Sequence, residues 1–228
     1  MNTAGIGLKE PSVIDWDNYN PGSKYQRPPE AKGVDGKALV YTGQLPGTIF
    51  QGGKNTASEE DVDRDGYRSY LLDPIKLVKN GGTVDGYVIR FTRASIKNFE
   101  KNGVVQNASP VGNLLKSAGV TAKPQKTAEY DQAMLAVRGR VVTFTLDWSA
   151  KNKDTGEEIW GYENFPDDPE NPGRKKAILR GEHTDEKTGA VIPADTYRNK
   201  EGQTVPVKSE VLFANARVRY FVDGNRGK

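Results

Sequence analysis

The chain has 228 residues, a formal net charge of +3 and only 35% hydrophobic residues, with 25 glycines and 13 prolines. It has no cysteine, which excludes disulfides, thiolate metal sites, iron–sulfur clusters and cysteine nucleophiles, and its one histidine, His183, leaves little for zinc sites or Ser-His-Asp catalysis. One β domain with a sizeable core and many turns fits this length, since a domain of this size buries about 70% of its unfolded surface.

The first residues, "MNTAGIGLKEPSVIDWDNYN", show no basic stretch followed by an apolar run, so no secretory signal is expected. No segment approaches the ~20 apolar residues of a membrane span. A cytoplasmic protein is the expectation. Residues 1–36, with the turn-rich "NPGSKYQRPPEAKGVDGK", read as an irregular arm over the surface of a single domain at 37–228.

"KALVYTGQL" reads as a strand, followed by a long polar loop. That loop contains "DVDRDG", in which Asp61, Asp63 and Asp65 match the first half of a calcium loop, with Gly66 at the turn. The twelfth position is Leu72 where a bidentate glutamate belongs, which favours an acidic solvated loop. "YRSYLLDPIKLV" reads as a strand broken at Asp73-Pro74. "NGGTVDG" reads as a hairpin loop before "DGYVIRFTRAS", whose alternation places Tyr87, Ile89 and Phe91 on one face.

Two short helices follow. Ser109 is a candidate N-cap, Pro110 suits the first helical position and Gly119 is the stop; Thr127 is the candidate cap of the second helix. "VRGRVVTFTLDW" then begins a hairpin, with Val142, Phe144, Leu146 and Trp148 on one face and "IWGYENF" as the return strand. The stretch 167–210 is polar and turn-rich, with hairpin-like turns at "DEKTG" and "NKEGQ", and His183 falls in it as an exposed loop residue. The closing strand "VLFANARVRYFV" alternates cleanly. Leu212, Ala214, Ala216, Val218, Tyr220 and Val222 form a core side, and Phe213, Arg217, Arg219 and Phe221 face the other way. The 167–210 stretch is the obvious segment to lie over that second side. The fold class expected is mainly β with two short helices, as an OB-like five-stranded barrel with long loop extensions, or else a sandwich.

Catalytic signatures are lacking. Neither a phosphate-binding G-x-x-x-x-G-K-[ST] loop nor a G-x-S-x-G turn occurs, and nothing selects a working pair among Glu157-Glu158, Asp167-Asp168 and Asp185-Glu186. No enzyme activity and no cofactor are expected. What remains is a set of cations and aromatics on strands: Phe213, Arg217, Arg219 and Phe221, with Arg138 and Arg140, Arg90 and Arg93, Trp160 and Tyr162, and Lys175 and Lys176. Single-stranded nucleic acid needs both ingredients, cations for the phosphates and aromatic faces for the bases. A strand repeats one face every ~7 Å, near the spacing of an extended run of bases. The competing reading is ordinary cross-strand packing.

The order of strand, two helices through "LLKSAG…AEYDQAMLAVRGR", long hairpin and closing aromatic strand resembles phage-encoded single-stranded DNA-binding and replication-accessory proteins of OB fold. The likeness spans residues 86–166 and 211–222. It implies DNA coating during viral replication or recombination, without catalysis. Single-stranded DNA is then the partner, with replication proteins and further copies of the chain as other candidates, and no membrane. Many such proteins end in an acidic tail, whereas this chain ends "DGNRGK". The alternatives are a virion or surface structural β protein, and a calcium-dependent binding module.

Overall fold

Three strands in a row are each broken in the middle, and this splits the start of the domain between two sheets. The computed structural model describes residues 25–52, 68–78, 86–101, 104–107 and 109–222. β1 (Val40–Gln44) and β2 (Phe50–Gly52) are followed by β3 (Arg68–Leu71) and β4 (Ile75–Leu77), then by β5 (Val88–Ile89) and β6 (Arg93–Lys101). β4 pairs antiparallel with β1 and β5, whereas β3 pairs with β2 and β6. The chain changes sheet at Asp73-Pro74, a cis peptide, and again at Arg90–Thr92, where Phe91 takes a φ of 58°. β7 (Val104–Asn107) completes the four-stranded sheet β2-β3-β6-β7. Gly43 sits where β1 crosses the core. A Cβ there would lie 2.7 Å from Ile75 Cγ2 and 2.9 Å from Phe144 Cε1, so no larger residue fits without a shift.

The helices close over this core. α1 (Ser109–Ser117) buries Val111, Leu114 and Leu115. It ends in a Schellman motif, in which Val120 N–H donates to Leu115 O at 2.9 Å and Gly119, at φ 72°, donates to Lys116 O at 3.0 Å. α2 (Thr127–Ala136) buries Tyr130, Ala133 and Met134; its cap position is Lys126, one residue before the expected Thr127. Asp131 on α2 accepts hydrogen bonds from Arg68 and from the Tyr70 hydroxyl, the latter at 2.5 Å, which pins the helix to β3.

Among the described residues β8 (Val141–Lys151) is the longest strand, and both β9 and β16 pair with it. β9 (Glu158–Trp160) returns beside it and runs into a 3-10 turn at Tyr162–Asn164. The stretch 167–210 folds back as short hairpins. β11 (His183–Thr184) pairs with β12 (Val191–Ile192), and β13 (Thr196–Arg198) with β14 (Thr204–Pro206), around the two expected turns. β10 (Ile178–Arg180) pairs with β15 (Val211–Phe213). His183 therefore lies in a strand, half-buried, with Nδ1 2.9 Å from Gly181 O; it is not the exposed loop residue expected. β16 (Asn215–Phe221) closes the chain against β8.

The protein is thus mainly β, with two helices and several antiparallel sheets. The largest sheet has the order β16-β8-β1-β4-β5, with β9 also on β8. Among the described residues no ladder joins β5 to β16, so the sheet stays open where a closed barrel would be paired. Near its two ends, Ala216 N–H donates to the Tyr87 hydroxyl at 3.3 Å.

Two buried clusters share β8. The first gathers Val142, Phe144 and Leu146 with the helices and with Ile75, Ile89 and Phe221. The second gathers Trp148 and Ala150 with Ile159, Phe165, Leu179, Tyr197 and Leu212. Residues 25–31 strap the second cluster and reach the first at Tyr41. Trp148 Nε1 donates to Pro29 O at 2.7 Å, Tyr41 Oη to Glu30 O at 2.8 Å and Arg27 Nη2 to Lys175 O at 2.7 Å.

Candidate nucleic-acid interface

The end of β16 does not follow simple alternation. Its register against β8 runs Ala216–Trp148, Arg217–Asp147 and Val218–Leu146, then skips to Tyr220–Thr145 and Phe221–Phe144. Arg219 is the extra residue of a β-bulge, and a bulge exchanges the faces beyond it. Tyr220, expected in the core, is 59% exposed. Phe221, expected on the outer side, is 7% exposed and lies edge-on to Phe144 at 6.2 Å. Phe221 therefore belongs to the core and is unavailable for stacking.

The outer face of β8, β9 and β16 collects the remaining groups. Trp160 pairs with Ser149 and is 45% exposed. The Arg217 guanidinium lies 5.9 Å from its ring centre, and Arg217 Nε donates to Ser149 Oγ at 2.8 Å. Arg219 lies 5.4 Å from the Tyr220 ring centre, and its Nη1 donates to Asp147 Oδ2 at 2.7 Å. Hydrogen bonding to Tyr220, with Asp147 adding to it, holds the Arg219 guanidinium above its ordinary pKa. Asp147 is buried, and its Oδ1 accepts the backbone N–H groups of Tyr162 at 2.6 Å and Trp148 at 2.9 Å. The carboxylate is the anchor that fixes Arg219, the bulge and the 3-10 turn relative to one another. A cleft of about 510 Å³ opens between Trp160, Tyr220 and Arg219, with Thr145 and Asp147 also lining it and the Lys32–Glu163 ion pair beside it.

Not every expected residue joins this face. Tyr162 is buried, because Gly161, at φ 99°, ends the return strand and turns the next side chain inward. Its hydroxyl donates to Glu30 Oε2 at 2.6 Å, and burial pushes its pKa up. Lys175 and Lys176 are held by Asp167 and Asp195, each at 2.8 Å. Phe213 is half-buried, tilts against Tyr25 at 4.9 Å and sits opposite Ile178 in the β10–β15 pair, so the N-terminal strap and the 167–210 stretch both flank it. Arg138 and Arg140 are exposed at the other end of β8, about 25 Å away along the strand, where Arg140 Nη1 donates to Ala118 O at 3.1 Å. Arg93 is exposed on β6 in the other sheet. Arg90 is exposed and shares a second cleft with Arg217.

Asp61, Asp63 and Asp65 lie outside the described residues. Among the described residues no group of three or more His, Asp or Glu is placed to hold a metal ion, and no helix is long and apolar enough to cross a membrane. Sequence reading missed Tyr220, which alternation assigned to the core, and Asp147, which looked like one polar residue in an alternating strand.

The chain matches no protein-family model, no curated protein and no solved structure. The local chemistry is therefore the guide to function. Two exposed aromatic rings, each with a guanidinium beside it, combine stacking surfaces with fixed positive charge on a rigid sheet.

Proposed function

We propose that this protein is a non-catalytic single-stranded DNA-binding protein, and that the strand lies across the outer face of β8, β9 and β16. The observation that carries the reading is the Arg217 guanidinium over the exposed Trp160 ring, with the Arg219–Tyr220 pair on the neighbouring turn of the same face. Bases stack on Trp160 and Tyr220, while Arg217 and Arg219 meet the phosphates. The open sheet, with a helix pair leading into β8, is read as an OB-like barrel unpaired along one seam. The resemblance to phage-encoded binding proteins extends this to coating single strands in phage DNA replication or recombination.

Titration with a dT oligonucleotide at two salt concentrations tests it. Binding is expected to weaken steeply with salt as counterions are released. It is expected to quench Trp160, since Trp148 is fully buried, and Trp16, which lies outside the described residues, is replaced by Phe in the protein titrated. Trp160→Ala is expected to lower affinity about 5- to 100-fold, the worth of one stacked base, and to remove most of the quench. Absence of any anisotropy change at low salt would sink the proposal.

A further inference from the structure

On the far side of Arg217 lies a second cleft of about 330 Å³. We infer that it is a second station for the same strand: bases stack on Phe91, and Arg90 with Arg217 hold the phosphates between Phe91 and Trp160. This rests on the single-strand reading above and extends it to a site on a different pair of strands.

The backbone gives the first argument. Phe91 has a φ of 58° and is 67% exposed, while Ile89 and Thr92 on either side are buried. A bulky residue in the left-handed region is a conformational outlier, and such outliers concentrate at ligand clamps and binding sites. The exposed ring gains no core packing to offset the strained backbone. Instead, the turn at Arg90–Thr92 inverts the alternation of "YVIRFT" and presents the ring to solvent.

Charge gives the second argument. The first cleft holds Arg219 and Lys32, but Asp147 and Glu163 line it too. The second is lined by Arg90 and Arg217, with Gln26 and Asn215 as neutral polar neighbours, and among the described residues no acidic side chain lines it. Two guanidiniums without a carboxylate make the stronger anion site of the two. Arg90 makes no ion pair with any described residue. Continuity gives the third argument, because Arg217 lines this cleft and also sits over Trp160, so one cation links the two aromatic faces.

The test uses the full chain, dT oligonucleotides of increasing length, and Phe91→Asn, since asparagine accepts a positive φ. The expected result is about a 10-fold loss of affinity on long tracts and a plateau of affinity reached at a shorter oligonucleotide. The melting temperature is expected to be unchanged or raised. Arg90→Gln is expected to lower the slope of log affinity against log salt by about 1. Wild-type affinity and plateau length in Phe91→Asn, with Trp160→Ala still impaired, overturn the second station and leave the first intact. A lowered melting temperature in Phe91→Asn also overturns it, because the ring is then structural. If the unmodified protein binds no oligonucleotide, both readings fall together.

Discussion

Asp147 shows how one buried residue organises a surface. Its carboxylate accepts two backbone N–H groups and the Arg219 guanidinium. Removing it leaves both N–H groups buried without an acceptor, whereas removing Arg219 exposes the carboxylate to water from the side where the guanidinium was half exposed. Asp147→Ala is therefore expected to cost about 2–3 kcal/mol and Arg219→Ala under about 1 kcal/mol. Urea denaturation of the two variants checks this, and equal losses would contradict it. At this scale the sequence was legible only in part. Trp160 and Arg217 could be picked out because large aromatic and cationic side chains on strands are conspicuous. Tyr162 was misread because its fate depends on Gly161, whose left-handed φ ends the strand between two aromatic residues.

Among the elements, β8 and α1 were the most legible. Alternation at Val142, Phe144, Leu146 and Trp148 reflects the apolar side of the strand, which feeds the two cores, and Pro110 and Gly119 mark the helix ends through backbone geometry alone. The bulge in β16 left no such mark. Arg219 is neither glycine nor proline, and the register shift depends on pairing with β8, which lies far away in sequence. The consequence is a clear contrast between adjacent aromatics. Phe221→Ala is expected to destabilise by about 3–5 kcal/mol, the usual cost of emptying a core phenylalanine site. Tyr220→Ala is expected to cost under about 1 kcal/mol and to weaken oligonucleotide binding instead. Chemical denaturation beside a binding titration separates them, and reversed effects would restore simple alternation.

For the whole molecule, the mainly β class and the hairpins of 167–210 could be read from turn residues, but the second core could not. Ala177, Leu179, Tyr197 and Val207 are scattered through polar sequence and become a core only against Trp148 and Ile159. Each core also contains a tyrosine whose pKa is pushed up to about 12. Burial is the leading cause for both, and Glu30 adds to it at Tyr41 and Glu157 at Tyr197. The unfolded chain releases these protons near pH 10, the folded chain near pH 12. Stability is then complete below about pH 10 and falls as pH rises through that window. Urea midpoints measured across the window, with tyrosinate absorbance followed in parallel, are expected to decline; a flat profile would contradict the buried, neutral state of both hydroxyls.

β8 also decides how contact at the surface is felt inside. Its inward side chains belong to the first core at Phe144 and Leu146 and to the second at Trp148 and Ala150. Its outward Asp147 and Ser149 hold Arg219 and Arg217. Neither core can open along this strand without disturbing the register that positions both arginines. A ligand that binds only the intact face adds its binding free energy to the cost of every such opening. An occupied strand would therefore damp local unfolding on both sides of the molecule at once, although it touches only one.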